Sequence, residues 1–356
     1  NHKVEDVLAE QQDGKFDAVF IAIGAQLARR TGIPARDAGH VIDAVTLLHD
    51  VGLGDAPKLG RRVVIYGGGD TAIDAARTAK RLGAEDALII YRRDRAHMGA
   101  QPVDADAAVA EGVKIKWLSK ITDIGEDDLT LEVVTLDKSG KPQPTGKFEK
   151  LSADTVILAV GQKSESGFLK QIPEIAFSKD DMVEIDAQMM TGRAGIFAGG
   201  DLTPGVRTVT AAVGHGKKAA RHIDAWLRRT SRPSAPRHPP VTFAQLHLPI
   251  YARSAIALQS QTPVQSRITD DFAEIVGGLT AAEALNEAKR CLSCGNCFEC
   301  DQCYAACPEE AIVKLGPGQR YKLDLDRCTG CGVCFEQCPC HAIDMAPEPA
   351  TVGGAA

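Results

Sequence analysis

No stretch of this 356-residue chain approaches the roughly 18 consecutive apolar residues of a membrane-crossing helix. No positively charged segment followed by a short apolar one stands at its start, so nothing reads as a secretory signal. An excess of basic charge is missing too. Lys and Arg number 41 against 47 Asp and Glu, and the net charge of −6 with a pI near 5.9 excludes a nucleic-acid partner held through its phosphates. The polar composition of a disordered chain is also absent: 44% of residues are hydrophobic and 25% charged, and the length suffices for two or more domains. The first residue is Asn1 and not methionine, which leads to the expectation of a processed or truncated piece of something longer.

Cysteine, by contrast, is abundant. Eight of the eleven fall into two runs, Cys297-x2-Cys300-x2-Cys303-x3-Cys307-Pro308 and Cys328-x2-Cys331-x2-Cys334-x3-Cys338-Pro339. This is the spacing of bacterial two-cluster ferredoxins, where three cysteines of a run hold one [4Fe-4S] cluster and the fourth reaches the other. The expected ligand sets are Cys297, Cys300, Cys303 and Cys338 for one cluster, and Cys328, Cys331, Cys334 and Cys307 for the second. Zinc sites use paired Cys/His spacings and disulfide frameworks belong to small secreted domains, so neither predicts two complete runs. Cys291 and Cys294 extend the first run backwards with the same spacing. They are expected beside the cluster or simply buried, with ligation by either left open, and Cys340 is spare. So many thiols fit a reducing interior, hence the cytoplasm. Two clusters with crossed ligands pass single electrons, and the remaining chain should supply a donor or acceptor.

Residues 62–72, Arg-Val-Val-Ile-Tyr-Gly67-Gly68-Gly69-Asp70-Thr71-Ala72, predict a strand that runs into Gly-x-Gly-x-x-Ala and then a helix through Leu82. The first glycine permits the tight turn, the second lets backbone approach a diphosphate, and Ala72 allows close helix–strand packing. The diphosphate then sits on the helix N-terminus, beside Asp70 and Thr71. A second strand at Ala87–Tyr91 completes the βαβ unit. At its end, where an NAD site places an acid, this chain has Arg92 and Arg93, with Arg95 two residues on. Guanidinium groups there suit a 2′-phosphate and favour NADPH, with NADH as the alternative; a solvated basic loop is the bland explanation. Phe16–Gly24 and Ala153–Gly161 are near-copies of one buried-strand pattern ending on glycine, as two nested dinucleotide domains leave where the chain crosses between them. Gly195-Ile-Phe-Ala-Gly199-Gly200-Asp201 is a third such strand, now with an acid, and a helix follows from about Thr208 to Leu227.

Tyr66-Gly-Gly-Gly-Asp-Thr-Ala-Ile-Asp74, Tyr91-Arg-Arg93, Ala159-Val-Gly161-Gln162 and Gly195–Asp201 together resemble the glutamate synthase small-subunit family of pyridine nucleotide-disulphide oxidoreductase-fold flavoproteins. The resemblance covers roughly residues 1–230. It implies FAD, with the Asp201 carboxylate on the ribitol, the helix N-terminus near Thr208 and Val209 at the flavin pyrimidine edge, and the strand-ending Gly24, Gly161 and Gly200 close to cofactor. A helix N-terminus there would stabilise negative charge on a reduced flavin. Family members carry a further Gly-x-Gly-x-x-Gly near their start for the FAD diphosphate. None precedes Phe16, so that element is expected in an upstream segment absent from this sequence. Glu-Ala-Lys-Arg-Cys291-Leu-Ser-Cys294-Gly resembles a segment that the family carries at its N-terminus; here it leads into the cysteine runs.

The implied fold class is α/β: nested dinucleotide-binding, Rossmann-like domains of the pyridine nucleotide-disulphide oxidoreductase type, then a small α+β bacterial-ferredoxin-like dicluster domain. Expected boundaries are 1–58 for part of the FAD domain, 59–150 for the NAD(P) domain, 151–230 for the rest of the FAD domain, 231–285 for a linker that is proline-rich at 230–240, and 286–356 for the ferredoxin domain. Residues 113–150 read as an antiparallel excursion with turns at Asp137–Gly140 and Pro142–Gly146 and no nameable chemistry, and 241–280 are hard to read. Residues 281–290 predict a helix. Within 286–356 six Lys/Arg stand against ten Asp/Glu, a net −4, while Lys217, Lys218, Arg221, Arg228, Arg229 and Arg232 form basic segments elsewhere. The functional expectation is an electron-transfer subunit between NAD(P)H, FAD, two [4Fe-4S] clusters and a partner oxidoreductase or ferredoxin, within a hetero-oligomeric complex. The alternatives are a glutamate synthase small subunit and a non-catalytic iron–sulphur relay or scaffold lacking flavin.

Overall fold

The structure, a computed structural model, describes residues 6, 10–11, 13–29, 31–35, 40–230, 240–268 and 272–347. The proline-rich stretch is described only at 230 and 240, and residues 231–239 lie outside the described residues. Two compact units divide the chain, Asn1–Pro233 with Thr262–Glu274, and Ser234–Gln261 with Ile275–Ala356. The span expected as a linker is thus shared between them. Among the described residues no helix is long and apolar enough to cross a membrane.

The first unit is built on β1 (Val19–Ile21), β2 (Leu27–Ala28), β3 (Val41–Asp43), α1 (Ala44–Gly52), β4 (Arg62–Tyr66), α2 (Asp70–Arg81), β5 (Asp86–Ile90), α3 (Pro102–Ala110), β6 (Lys114–Lys116), β7 (Ser119–Ile124), β8 (Asp128–Leu136), β9 (Pro142–Ser152), β10 (Thr155–Leu158), β11 (Gln162–Lys163), β12 (Ile196–Ala198) and α4 (Val209–Leu227). A five-stranded parallel sheet runs in the order β3-β10-β4-β5-β6. Side chains alternate across a strand, so β4 sends Val63 and Ile65 to one face and Val64 and Tyr66 to the other. The first face packs on the helices, with Ile73, Ala76 and Ala79 of α2 and Leu47 of α1 in one buried cluster. The second packs on the antiparallel sheet β7-β8-β9 through Ile121, Leu129 and Leu131. Both faces are covered, which is why β4 and β5 read as continuous apolar runs.

Pro142–Gly146 is not the turn that the sequence predicts. It lies in β9, where the pairing slips between Val133↔Lys147 and Val134↔Pro144, leaving Thr145 and Gly146 in a bulge. Gly146 takes φ +69° there, so the glycine signal marks a bulge and not a reversal. The turn at Asp137–Gly140 forms, with Asp137 Oδ1 accepting from the Ser139 and Lys141 amides at 2.8 and 3.0 Å.

Phe16–Gly24 also differs from expectation. Only Val19–Ile21 forms strand, pairing parallel with β12, and Phe16 and Phe20 are exposed. Ile21, Ile196, Ala198, Leu169 and Leu202 make a separate buried cluster beneath this pair. A short helix, α5 (Val264–Arg267), belongs to the first unit and carries Arg267 to Glu111. Glu111 is buried, receives a forked pair of hydrogen bonds from Arg77 (2.9 and 2.6 Å), and has Arg81 and Arg267 each at 3.6 Å. Burial opposes its ionisation, but the Arg77 hydrogen bonds and the three guanidinium charges win and hold its carboxyl below the usual glutamate value.

In the second unit α6 (Ala281–Lys289) starts from a capping box of Thr280 and Glu283, matching the helix expected at 281–290. Residues 241–261 contain the helical turns Phe243–Gln245 and Leu248–Ile250. The cysteine runs hold α7 (Gln302–Ala306) and α8 (Val333–Gln337), joined through the antiparallel hairpin β13 (Ile312–Lys314) and β14 (Tyr321–Leu323).

Candidate dinucleotide pocket and paired cysteine cavities

At the C-terminal ends of β4, β5 and β10 lies a cavity of about 570 Å³. This is where ligands bind in parallel α/β sheets. Gly67, Gly69 and Thr71 line it, with Arg92, Arg93 and Gly161. A Cβ on Gly67 would lie 2.3 Å from the Ala159 carbonyl oxygen, so only glycine lets β4 and β10 converge. A Cβ on Gly69 would meet nothing within 4 Å. Gly69 caps α2 without a side-chain hydrogen bond, leaving a helix N-terminus open to an anion. Asp70 and Ala72 do not line the cavity. The Asp70 carboxylate accepts from the Gln101 amide (2.9 Å), and Ala72 is fully buried against the sheet.

Arg92 and Arg93 both reach the cavity, and the Arg93 Nε is buried without a hydrogen-bond partner. Arg95 points elsewhere, to Asp106 at 2.6 Å. The excursion expected to carry no chemistry contributes after all, since Lys120 and Ile121 of β7 line the same cavity, as does Arg29. A lone lysine in a strand has no spacing signal, so the sequence could not single it out. No Asp or Glu lines the cavity among the described residues. Its polarity suits a polyanion, and the open Gly69 cradle and the orphaned Arg93 Nε fit a phosphorylated dinucleotide.

The residues implied for flavin stand apart from that cavity, except Gly161. Gly24, three residues past the end of β1, has φ +68°, and Gly200 takes φ +67° at the start of a short helical turn through Leu202. The Gly200 amide donates to His215 Nδ1 (3.1 Å), tying this turn to α4. Asp201 is half-buried, and its carboxylate makes no hydrogen bond or ion pair among the described residues. Thr208 caps α4 by accepting from the Ala211 amide (3.2 Å), and Val209 is exposed at its first turn. A free carboxylate beside a helix N-terminus fits the ribityl and pyrimidine edges of a flavin.

In the second unit Cys297, Cys300, Cys303 and Cys338 line one cavity of about 180 Å³. Cys307, Cys328, Cys331 and Cys334 line another of about 230 Å³. Each cavity draws its fourth thiol from the other run, and Ile312, Leu323, Ala342 and Ile343 wall both. No group of Cys, His, Asp or Glu among the described residues converges tightly enough for a single metal ion. The thiols surround space, as a multi-iron cluster requires. The two runs repeat their local geometry: Cys307 and Cys338 follow α7 and α8 with φ −73°, ψ 113° and φ −72°, ψ 112°. Backbone amides of Ala311 and Ala342 donate to their Sγ atoms at 3.3 and 3.2 Å. Burial pushes the Cys303 thiol up to about 11, so a thiolate there calls for a compensating cation. Cys291 and Cys294 are exposed and line neither cavity, so of the two expected placements, beside the cluster or buried, the buried one does not hold. Cys340 is buried in the first cavity's wall, its Sγ 3.8 Å from that of Cys338.

Comparison with known proteins agrees with both halves. Residues 1–216 match the pyridine nucleotide-disulphide oxidoreductase family, and residues 296–342 match the 4Fe-4S dicluster domain. The chain is 33% identical over 312 residues to the NADP(+)-dependent formate dehydrogenase subunit beta of Moorella thermoacetica, covering 81% of this chain and 44% of that protein. It is 29% identical over 336 residues to the NADPH-Fe(3+) oxidoreductase subunit beta of Geobacter sulfurreducens, covering 82% and 50%. The glutamate synthase [NADPH] small chain of Azospirillum brasilense is 31% identical over 240 residues, covering 60% and 49%. The chain spans about half the length of these relatives. Among solved structures, Mycobacterium tuberculosis FprA in complex with NADPH shares the fold, with a TM-score of 0.50 at 17% identity over 63% of this chain and 68% of that one. The cofactors that follow from the two matches are FAD, NADP(H) and two [4Fe-4S] clusters. The chain belongs to the pyridine nucleotide-disulphide oxidoreductase family and carries a 4Fe-4S dicluster domain behind its nucleotide-binding part.

Proposed function

We propose that this chain is the electron-transfer part of an NADPH-linked flavin and iron–sulphur oxidoreductase complex, exchanging electrons with a partner oxidoreductase or ferredoxin. The observation that carries the reading is the pair of cavities, each ringed by four cysteines drawn crosswise from two runs, on one chain with an acid-free, cation-lined dinucleotide pocket. Flavin, when bound, links the two-electron chemistry of nicotinamide to the one-electron chemistry of the clusters. The side chains position and tune. Gly69 and the α2 N-terminus receive the diphosphate, Arg92 and Arg93 the 2′-phosphate, and Asp201 the ribityl hydroxyls, while Thr208 and Val209 place the α4 N-terminus at the flavin. Cys297, Cys300, Cys303 and Cys338 hold one cluster; Cys307, Cys328, Cys331 and Cys334 hold the other. No nucleophile or general base is required.

Relatives named as a formate dehydrogenase subunit and an iron(III) reductase subunit match over 81% and 82% of the chain, against 60% for the glutamate synthase small chain. That difference favours a dicluster electron-transfer role over glutamate synthase. The test is anaerobic purification of the full chain, with iron, sulphide and flavin quantified and electron paramagnetic resonance recorded before and after NADPH. Eight irons per chain and cluster signals that appear with NADPH support the reading. Zinc in place of iron, or clusters that respond to dithionite but never to NADPH in a flavin-loaded complex, overturns it.

A further inference from the structure

Lys120 stands in the dinucleotide pocket, and neither the fold nor the cysteine sites give it a task. Its side chain makes no hydrogen bond or ion pair among the described residues. Its basic neighbours behave differently. Lys114 of β6 pairs with Asp86, Lys116 with Glu149 at 2.7 Å, and Arg95 with Asp106 at 2.6 Å. The cations left unpaired in the pocket are Arg92, Arg93 and Lys120, and no carboxylate lines it among the described residues to neutralise them.

The backbone places Lys120 beside the two arginines. The Ser119 amide donates to the Tyr91 carbonyl (3.1 Å) and the Leu118 amide to the Arg93 carbonyl (3.1 Å), so the start of β7 runs along the 91–93 loop. Here Leu118 adopts φ +53°, a left-handed conformation that is strained for a branched residue. Such strain persists only where the surroundings enforce it. Three cations held without a counter-ion await a group of more than one negative charge.

We infer that Lys120 completes a three-cation site, with Arg92 and Arg93, for the phosphomonoester dianion on the adenosine ribose of NADPH. The inference rests on the NADPH reading above. Lys120 is a point charge on a mobile stem, which complements the planar, forked guanidinium groups. Its position on the antiparallel excursion also gives that three-stranded sheet a role in choosing between nucleotides.

The test is nucleotide binding to the full chain carrying Lys120→Met, Lys120→Arg or the pair Arg92→Ala/Arg93→Ala, followed by fluorescence titration with NADPH and with NADH. Lys120 is exposed, and an unchanged unfolding midpoint checks that the fold is intact. The Lys120→Met variant should bind NADPH about tenfold more weakly, the worth of one charge-assisted hydrogen bond, and NADH within about twofold of the parent. Lys120→Arg should restore most of the difference. Unchanged NADPH binding, or equal losses for both nucleotides, overturns the assignment of Lys120. If the double arginine variant weakens NADPH and NADH equally, or weakens neither, the NADPH reading itself falls, whatever Lys120 does.

Discussion

A Cβ added to Gly67 would lie 2.3 Å from the carbonyl oxygen of Ala159, while one added to Gly69, two residues on, would touch nothing within 4 Å. One glycine thus serves the fold, and the other leaves the space proposed for the diphosphate. Gly67→Ala should lose about 1–3 kcal/mol of stability through forced separation of β4 and β10, and nucleotide binding with it. Gly69 has φ −103°, which alanine adopts freely, so Gly69→Ala should unfold at the parental midpoint. Its methyl group would occupy the diphosphate cradle and weaken NADPH binding at least tenfold, on the order of 1.4 kcal/mol. Denaturant melts and calorimetric titration separate the two effects. Equal stability loss in both variants would sink the division of roles.

Glu111 yields a pH-dependent prediction. Burial raises the cost of its charge, yet Arg77, Arg81 and Arg267 hold its folded-state pKa below the ordinary 4.5. A depressed carboxyl pKa contributes stability fully above the unfolded-state value, and that contribution fades as pH falls through the folded one. Stability should therefore drop below about pH 4.5, and Glu111→Gln should flatten this acid limb while lowering stability at pH 7. Glu111→Ala, which removes the carboxylate shared by Arg77, Arg81 and Arg267, should cost about 3–5 kcal/mol. Urea midpoints measured from pH 3 to pH 8 decide it.

The strand–glycine–helix unit at 62–90 was legible because its signals are local: a continuous apolar strand, a glycine turn and small residues on the packed face of α2. The cysteine sets were legible because spacing carries the ligand geometry. Other features depend on partners far away in sequence. Phe16–Gly24 looks like a full buried strand, but β12 alone pairs with it among the described residues, and only three residues become strand. The Pro142–Gly146 composition is shared by turns and bulges, and the pairing with β8 decides between them. Arg267 lies 156 residues beyond Glu111, and Lys120 is an isolated cation; neither leaves a pattern that a window of sequence can hold.

Charge should influence docking of the proposed partner. Residues 286–356 hold ten acidic against six basic side chains, and exposed charges act over about 8 Å at physiological salt. Raising ionic strength should slow electron transfer to a partner and leave reduction of the flavin by NADPH nearly unchanged. Stopped-flow traces at two salt concentrations measure both steps, and parallel slowing of the two would remove charge steering from the account.

The last prediction concerns the crossed cysteines. Cys307 follows Cys303 by one helical turn, yet it lines the cavity of Cys328, Cys331 and Cys334, while Cys338 lines that of Cys297, Cys300 and Cys303. The cause is local. Short helices α7 and α8 each end on an extended residue, Cys307 or Cys338, which leads the chain away from its own loop. Both loops need left-handed residues before the helix. The second uses Gly330 and Gly332, and the first uses Glu299 and Asp301, at φ +61° and +65°. Those two acids offset the strain by bracing the first loop to the hairpin: Glu299 accepts from the Gly318 and Arg320 amides at 3.0 and 2.7 Å, and Asp301 from Lys314 at 2.8 Å. Cys307→Ser should therefore alter the cluster held by the second run, and Cys338→Ser the cluster held by the first. Glu299→Ala should loosen only the first loop and its cluster. Electron paramagnetic resonance of the reduced variants, with the two signals assigned by Cys300→Ser and Cys331→Ser, reads this directly. Damage from Cys307→Ser confined to the cluster of Cys297, Cys300 and Cys303 would show that each run serves itself.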